Sequence, residues 1–316
     1  MHDHSRHGSF VHYSRRVLDR EFWRKRRRRL VARAITGATG LIAATPRLRG
    51  LALRALLDRH LAPGTLCLVP FGDHALYVDP RDDKIALKLM RGRCWQRREL
   101  ETAIDVLQSA GALRAGGMFI DVGANIGAVA IYALRSGVFT KVTAVEPDPH
   151  NFAILTSNIA LNDFEQRVRA IKAAASDTTG HLLLARHRKN HGAHSVEGSA
   201  RSNAAQTITV DAITLDDVLR QQDVAPEEVA LVKIDVEGHE LSVLEGMRSL
   251  LQVRVPILVE LTAERGDNER LQRFKSLLCP FYEHVLDLSD ESPVSRPSQS
   301  ISTFRLRNSQ SDLLVY

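Results

Sequence analysis

The chain has few of the features that stabilise small secreted proteins or anchor proteins in membranes. Its three cysteines, at positions 67, 94 and 279, lie far apart and form no C-x-x-C pair. This spacing excludes a disulfide framework and a cysteine zinc site, and a reducing cytoplasm is therefore the expected location. The apolar stretch at residues 30–44 contains Arg33 and is too short to span a bilayer, and it lacks the apolar strength and cleavage site of a secretory signal. No internal repeat is visible.

A basic surface is also missing from most of the chain, although the formal net charge is +6. Residues 1–33 hold 11 Lys or Arg and 3 Asp or Glu, a net charge of +8, whereas the remaining 283 residues hold 32 and 34, a net charge of −2. A nucleic-acid substrate requires a basic face around the active site, so this distribution argues against one. The basic tail is either a solvated arm or, through residues 20–45, a peripheral contact with an anionic membrane surface.

The most informative segment is the sequence MFIDVGANIG at residues 118–127. It reads as an apolar strand that ends near Asp121 and turns through Gly123 and Gly127 into a helix. A dinucleotide-binding loop has a second glycine where Asn125 stands, because the backbone there must approach a pyrophosphate closely. The carboxylate of Asp121 repels a pyrophosphate and attracts a cation. The loop therefore favours S-adenosylmethionine, which carries an adenosine, an ammonium and a sulfonium but no phosphate.

A second strand, residues 141–146, ends in Glu146, nineteen residues after Gly127. An acid at the end of the second strand of such a sheet accepts hydrogen bonds from both ribose hydroxyls of a nucleoside. Asp148, in the turn that follows, is grouped with it as a donor-binding residue. The alternative is that Glu146 only caps the next helix.

Strands that alternate with helices predict a parallel sheet wound on both sides, with ligands beyond the carboxyl ends of the strands. We divide the chain into a basic arm and helical segment (1–63), an accessory hairpin and helix (64–110) and a catalytic domain (111–316). The catalytic domain includes a polar loop at 186–204. The predicted strands lie at residues 118–122, 142–146, 168–174, 181–185, 206–210, 230–235, 256–261 and 313–316, and a single helix is expected at 241–251.

Six acids fall at or just after strand ends and so belong on one rim: Asp121, Glu146, Asp177, Asp235, Glu237 and Glu260. Lys233 alternates with Asp235 on the same face of its strand. Because a buried lysine is costly unless it is paired, an ion pair between Lys233 and a carboxylate is expected.

Five motifs together resemble the FkbM family of S-adenosylmethionine-dependent methyltransferases: FIDVGANIGAVA (119–130), AVEPDPHNFAIL (144–155), TLDDVL (214–219), VKIDVEGHELSVLEGMRSLL (232–251) and PILVEL (256–261). The resemblance covers about residues 64–265. It implies a class I methyltransferase fold, a Rossmann-like, doubly wound and mostly parallel sheet with an N-terminal hairpin and helical accessory. It also implies methylation of a hydroxyl on a sugar or glycan, a polyketide or another secondary metabolite.

The resemblance assigns roles to the rim. The catalytic residues would be Asp235, Glu237 and Lys233. The donor would be bound by Asp121, Gly123, Asn125, Gly127, Glu146, Asp148 and Asp177, the last near the adenine amino group. The acceptor would be bound by Asn190, Ser195, His239 and Glu260.

Several alternatives stay open at this point. The base is Asp235, Glu237 or His239, although His239 is equally suited to packing, and Asp177 is equally suited to a turn. Magnesium on Asp235, Glu237 and Glu260 is compatible with the chemistry but is not demanded by the spacing, so we assign no metal.

The loop at 186–204 is interpreted as a lid over the acceptor, with metal binding by His187, His191 and His194 as the alternative. Trp95-Gln96 stands where many relatives have an aromatic residue followed by Glu, so Glu99 or Glu101 is a candidate partner for the donor's ammonium. Competing functions are a nucleic-acid or protein methyltransferase recruited by the basic arm, and a non-catalytic binding protein that retains the fold.

Overall fold

The computed structural model describes residues 61–62, 64–82, 84–187, 195–196, 204–262, 268–289, 298–306 and 309–316. The basic arm and the stretch at 20–45 lie outside these ranges. So do Asn190, His191 and His194, and of Ser195 only the backbone is described. The interpretation of residues 186–204 as a lid therefore stays a prediction.

The described part of the chain contains strands and helices in alternation. The strands are β1 (Cys67–Pro70), β2 (Ala75–Val78), β3 (Met118–Val122), β4 (Lys141–Val145), β5 (Val168–Ile171), β6 (Ala174–Ala175), β7 (Gly180–His187), β8 (Ser195–Val196), β9 (Ala204–Ile213), β10 (Val229–Ile234), β11 (Ile257–Thr262), β12 (His284–Asp287), β13 (Gln299–Ser300) and β14 (Gln310–Val315). The helices are α1 (Ile85–Met90), α2 (Arg97–Ser109), α3 (Ala128–Arg135), α4 (Pro149–Leu161), α5 (Leu215–Gln222), α6 (Glu240–Glu245), α7 (Arg248–Gln252) and α8 (Asn268–Leu278).

The central sheet has the order β13-β12-β14-β11-β10-β3-β4-β5. Strands β11, β10, β3, β4 and β5 are parallel neighbours, so the predicted doubly wound, mostly parallel sheet is confirmed. From β3 the chain proceeds to β4 and β5 on one side, and it later returns to place β10 and β11 on the other. The order therefore switches between β3 and β10. In open α/β sheets, ligands bind in the crevice beyond the carboxyl ends of the two strands at which the order switches.

The two central strands have no exposed residue, which is why they read as continuous apolar runs rather than alternating ones. Phe119 and Leu231 face one core, and Ile120, Val122 and Val232 face the other. Within this apolar double layer, Asp121 and Lys233 are the charged residues of β3 and β10. They are register partners in adjacent strands.

An antiparallel strand, β14, extends the sheet beyond β11. Strand β14 lies between β11 and β12 and pairs with both. Its register places Asp312 opposite Glu260 and Gln310 opposite Thr262. A strand near the end of the chain thus brings polar side chains to the carboxyl end of β11.

The hairpin β1–β2 is attached to the fold by two asparagines of α4. Asn158 accepts a hydrogen bond from Tyr77 N (2.6 Å) and donates one to Tyr77 O (3.1 Å). Asn162, one turn later, bonds Ala75 N (3.2 Å) and Ala75 O (2.8 Å) in the same way. The carboxamides satisfy the free edge of β2 as a neighbouring strand would. Residues Gly64–Tyr316 form one compact unit that includes this hairpin.

A second, four-stranded sheet of order β6-β9-β7-β8 carries the predicted excursion between the third and fourth parallel strands. The strand expected at 168–174 is divided: β5 pairs with β4, whereas β6 pairs with β9 in this second sheet. The excursion strands are also longer than expected, and β7 and β9 pair along their lengths.

The single helix expected at 241–251 is wrong, because the structure has two short helices, α6 and α7, with Gly246 between them. A Cβ at Gly246 would lie 1.9 Å from Ser176 O, so the chain there is pressed against the segment that follows β6. This tertiary contact is not visible in helical periodicity. Helices α1 and α8 and strand β12 were not predicted. Within the ranges described above, no helix is long and apolar enough to cross a membrane.

His150 and Asp79 generate a prediction about pH. His150 Nε2 lies 3.0 Å from Asp79 Oδ2, and this hydrogen bond raises the pKa of His150 above its usual value. A raised folded-state pKa contributes stability that is fully present below about pH 6.5 and is lost as the pH rises through the folded-state pKa. Asp79→Asn removes the charge but keeps the oxygen that accepts from Arg81 N (2.9 Å). The melting temperature of D79N should therefore fall below that of the wild type by more at pH 5.5 than at pH 8.5, measured by calorimetry. An equal gap at both pH values would contradict the linkage.

Candidate functional site

A cavity of about 360 Å³ opens at the carboxyl ends of the parallel strands, beside the order switch. Ile85, Trp95, Val129 and Leu184 contribute to its apolar wall. Its polar and charged lining residues are Lys84, Gln96, Glu99, Asn125, Glu146, Lys233, Asp235, Glu237, His239, Glu260, Ser289, Gln310 and Asp312.

The sequence-predicted residues divide into three groups. Gly123, Asn125, Glu146, Lys233, Asp235, Glu237, His239 and Glu260 all line the cavity. Asp121, Gly127, Asp148 and Asp177 are described but are not among its lining residues. The third group is Asn190, outside the described residues, and Ser195, known by its backbone alone.

The loop after β3 is held against the end of β4 by main-chain hydrogen bonds. Gly123 N and Ala124 N both donate to Val145 O, at 2.9 and 3.0 Å. Asn125 has a φ of +51°, in the left-handed region that asparagine tolerates better than most residues. Its N–H donates to Glu146 Oε2 at 2.8 Å. The position that would hold glycine in a dinucleotide loop is therefore used to bind a carboxylate.

Gly123 permits the closest approach in the site. Its φ is +75°, and a Cβ there would lie 1.8 Å from Asp235 O. Asp235 N in turn donates to Val122 O at 3.0 Å. The loop after β3 and the residues after β10 thus touch through their backbones, and only glycine leaves the necessary space.

Glu146 is buried and connects the donor-side loop to the next turn. Besides the bond from Asn125, its Oε1 accepts from Asp148 N at 2.9 Å. Burial raises the pKa of Glu146 to about 7, against the effect of these two N–H donors. A ligand that donates a hydrogen bond to Glu146 would therefore lower its pKa and favour the ionised carboxylate.

Asp148, not Glu146, caps the helix that follows. Its Oδ1 accepts from His150 N (2.9 Å) and Asn151 N (3.1 Å) at the start of α4. Its Oδ2 binds Arg186 Nε at 2.6 Å, and the side chain is fully buried. The structure thus gives Asp148 an N-cap and an ion pair, and the capping alternative raised for Glu146 belongs to its neighbour.

Lys233 forms the expected ion pair, with two carboxylates. Its Nζ lies 3.5 Å from Asp121 Oδ1 and 3.4 Å from Asp235 Oδ2. Burial disfavours the ammonium, but the carboxylates of Asp235, Asp121 and Glu260 outweigh it and raise the pKa of Lys233. Burial also raises the pKa of the fully buried Asp121, a change that Lys233 opposes. Asp121 consequently contacts the lysine beneath the site and is absent from the lining residues.

Gln96 was overlooked by sequence reasoning, except as a departure from the family pattern. Its Nε2 donates to Asp235 Oδ2 (2.8 Å) and to Glu260 Oε2 (3.3 Å), across more than 130 residues of chain. Gln96 is the residue that precedes α2, and its φ is +53°. Of the two acids proposed instead, Glu99 lines the cavity, whereas Glu101 pairs with Arg97 at 2.8 Å.

Glu260 and Asp312 form an acidic wall beside Asp235. Burial and the neighbouring carboxylates, chiefly Asp235, raise the pKa of Glu260 to about 9. Burial and the charges of Glu99 and Asp235 raise the pKa of Asp312 to about 7. Gln310 donates a hydrogen bond to Glu260 Oε1. Alternation along β14 predicts that Gln310 and Asp312 lie on the same face of the strand, but it does not predict that β14 pairs with β11.

The turn after β10 presents Glu237 and His239. Glu237 has a φ of +47°, which is unusual for a residue other than glycine and marks a constrained turn. His239 Nε2 lies 2.9 Å from Ser176 Oγ, and burial lowers the pKa of His239. Ser176 Oγ also donates to Oδ1 of the exposed Asp177 at 2.8 Å.

Glu240 and Arg270 hold this turn from behind. The fully buried Glu240 accepts from Gly238 N at 2.7 Å through Oε1. Arg270 binds the other oxygen of Glu240 and donates to Gly238 O at 2.8 Å. The backbone on both sides of Gly238 is therefore fixed by one buried ion pair, although neither charged residue lines the cavity.

Carboxylate oxygens of Asp235, Glu237 and Glu260 lie within 4.8 Å of one another, a spacing that can hold a metal ion. Hard oxygen ligands of this kind suit magnesium. However, Asp235 Oδ2 already accepts from Lys233 and Gln96. The ammonium of Lys233 therefore already balances part of the negative charge of Asp235.

The profile described as "Methyltransferase FkbM domain" matches residues 121–291. Methyltransferase sdnD of Sordaria araneosa is 31% identical over 153 residues, which cover 40% of this chain and 59% of that protein. Hexuronic acid methyltransferase AglP of Haloferax volcanii is 29% identical over 171 residues, 54% of this chain and 66% of that protein. The chain thus spans less than two thirds of the length of each of these relatives.

Among solved structures, methyltransferase FkbM from Methylobacillus flagellatus KT aligns with a TM-score of 0.41 and 18% identity, over 85% of this chain and 59% of that one. TYW2 from M. jannaschii, solved in complex with AdoMet, aligns with a TM-score of 0.38 and 14% identity, over 81% of this chain and 86% of that one.

Substitutions at two glycines can distinguish the effect of backbone strain from the effect of steric contact. Gly137 and Gly123 have similar φ values, +73° and +75°, but a Cβ at Gly137 meets nothing within 4 Å. Gly137→Ala should lower the free energy of unfolding by about 1 kcal/mol through strain alone. Gly123→Ala should lower it by about 4 kcal/mol or more, because the ends of β3 and β10 must separate. Denaturant unfolding measures both. Equal losses would show that the close approach to Asp235 O is not a constraint.

Proposed function

The chain belongs to the FkbM family of methyltransferases, and from this premise we propose that it transfers a methyl group from S-adenosylmethionine to a hydroxyl oxygen. The acceptor class we propose is a sugar or glycan, a polyketide or another secondary metabolite. The name of AglP specifies a hexuronic acid as substrate, and sdnD is named as a methyltransferase. The name of AglP supports a small-molecule or glycan acceptor over a nucleic acid.

One observation carries the proposal: a single cavity joins the acid after the second parallel strand to the acids after the strand beyond the switch. Glu146 lines it on one side, and Asp235 and Glu237 line it after β10. A donor-binding residue and candidate bases therefore share one space. A cavity of about 360 Å³ lies within the range of pockets that bind small ligands.

The residues fit the proposed donor chemically. Six carboxylates line the cavity: Glu99, Glu146, Asp235, Glu237, Glu260 and Asp312. Such a lining suits a molecule with an ammonium and a sulfonium and opposes a pyrophosphate. Glu146 would accept from the ribose hydroxyls. When bound, the donor supplies an electrophilic methyl group.

The protein's part in the reaction is alignment and proton removal. Holding an acceptor oxygen in line with a methyl group can contribute up to roughly 7–11 kcal/mol. Asp235 Oδ2 accepts from Gln96 and Lys233, so we assign Asp235 to orientation. We assign Glu237 to remove the hydroxyl proton, since its constrained backbone presents it at the cavity. Lys233 fixes Asp235 and balances the local charge.

The donor prediction compares two neighbouring acids. Glu146→Gln removes the charged acceptor for the ribose, so the affinity for S-adenosylmethionine should fall at least about tenfold by calorimetry. Asp148→Asn should lower the melting temperature, because it removes the buried charge that pairs with Arg186, while asparagine can still cap α4. Its effect on donor affinity should be much smaller than that of E146Q. Wild-type protein that binds no S-adenosylmethionine would refute the proposed function, and the reverse order of the two variants would refute the assignment of Glu146.

The catalytic prediction concerns the turn after β10. Glu237→Gln keeps size and hydrogen bonding but cannot accept the hydroxyl proton, so turnover should fall by about 10²–10⁴ with donor affinity nearly unchanged. His239→Ala should have a much smaller effect, since His239 is engaged with Ser176. Single-turnover rates with saturating donor make the comparison. A dominant loss in H239A, with E237Q active, would identify histidine as the base.

A further inference from the structure

The loop after β3 uses its own N–H groups to hold its shape. Each of the five consecutive N–H groups of residues 123–127 lies 2.8–3.0 Å from an oxygen or side-chain acceptor of the protein. These acceptors are the main-chain oxygens of Val145 and Ala124 and the side chains of Glu146 and Asn125. Phosphate-binding loops, in contrast, direct such N–H groups at the anion. The carboxylate at the amino-acid end of S-adenosylmethionine therefore needs a partner outside this loop segment.

Lys84 brings an ammonium to the cavity from the accessory segment at 64–110. It is one of the lining residues, it is exposed, and it forms no ion pair among the described residues. Lys233, the other lysine in the described lining, is already held by Asp121 and Asp235. Lys84 can thus bind a carboxylate that enters the cavity without the loss of an existing ion pair.

The backbone around Lys84 is fixed, although its side chain is exposed. The buried Asp82 accepts hydrogen bonds through Oδ1 from Lys84 N (2.8 Å) and Ile85 N (3.2 Å). On the other side, Lys84 O accepts from Lys88 N (3.2 Å) in the first turn of α1. Ile85 is buried and also lines the cavity. Only the side chain of Lys84 has to become ordered when a ligand binds, which limits the entropic cost.

The same accessory segment supplies acceptors for an ammonium. Glu99 of α2 lines the cavity. Gln96 lines it too, and its Oε1 is buried without a hydrogen-bond partner among the described residues. The carboxamide of Gln96 is oriented by Nε2, which donates to Asp235 and Glu260. A free amino-acid group has an ammonium and a carboxylate on one carbon, so a cation and acceptors within one cavity match both of its charges.

We propose that Lys84 binds the carboxylate of S-adenosylmethionine while Glu99 and Gln96 Oε1 accept hydrogen bonds from its ammonium. The accessory segment then recognises the amino-acid end of the donor, and the loop after β3 and Glu146 hold its nucleoside. This inference rests on the proposed function and gives the accessory segment a role in donor binding.

The start of α3 is the competing site for the carboxylate. Ala128 and Val129 line the cavity, and the N–H groups in the first turn of a helix attract anions. The helix dipole, however, is equivalent to about half an elementary charge, whereas Lys84 carries a full one. Lys84 also belongs to the segment that supplies the acceptors for the adjoining ammonium.

The test compares S-adenosylmethionine with decarboxylated S-adenosylmethionine, which keeps the adenosine, the sulfonium and the ammonium. In calorimetry, the full wild-type chain should bind the complete donor about fivefold or more tightly than the decarboxylated compound. Lys84→Gln should remove most of this preference by weakening the complete donor alone, with the affinity for the decarboxylated compound unchanged within about twofold. Lys84→Arg should retain most of the preference, because it keeps the positive charge.

Two further variants serve as controls. Lys141→Gln removes an exposed lysine at the start of β4, at the end of the strand opposite to the cavity, and should change neither affinity. Glu99→Gln should weaken the binding of both compounds, since both have the ammonium, and should leave their ratio unchanged. The melting temperature of K84Q without ligand should stay close to that of the wild type, because the side chain is exposed.

An equal loss of affinity for both compounds in K84Q would overturn the proposal. So would an unchanged preference for the complete donor in K84Q, a result that favours the N–H groups of α3 as the carboxylate site. Both outcomes would leave the proposed function standing, because the wild type still binds the donor. Wild-type protein that binds neither compound would overturn the proposed function and this inference with it.

Discussion

The ammonium of Lys233 is the charge on which the site depends. It is buried between Asp121 of β3 and Asp235 beyond β10, at the point where the strand order reverses. Removing one partner of a buried ion pair typically costs 3–5 kcal/mol, because the other charge is left uncompensated. The triad therefore constrains both central strands. It also fixes Asp235, which accepts a hydrogen bond from Gln96 at the start of α2. This hydrogen bond connects the helical accessory to the sheet.

The cavity combines two halves of different origin. The donor side is made of backbone geometry: Gly123, Asn125 and the hydrogen bonds that converge on Glu146. The opposite side is made of side chains from α2, β11 and β14, whose carboxyl groups raise one another's pKa. The first half is fixed by main-chain hydrogen bonds and by the close approach at Gly123. The second half consists of acidic side chains, and the protonation of each depends on its neighbours.

Local chemistry made part of this arrangement predictable. Apolar runs ending in acids located β3, β4 and β10, and alternation with the cost of a buried lysine predicted the Lys233 pair. Gln96, Gln310 and Asp312 were missed because their places depend on long-range packing. The N-cap role of Asp148 was available from the sequence, since an aspartate before proline at the first helical position is a capping signal. The break at Gly246 was not available, because it arises from contact with Ser176.

The position of β14 between β11 and β12 has a consequence for biosynthesis. Residues 310–315 are translated after every strand they adjoin, yet they supply the pairing that both neighbours lack. A nascent chain that extends through β11 contains the glycine loop and Glu146, whereas Asp312 has not been made and the edge of β11 that pairs with β14 is open. The side of the cavity that carries Glu146 is therefore synthesised before the side that carries Asp312.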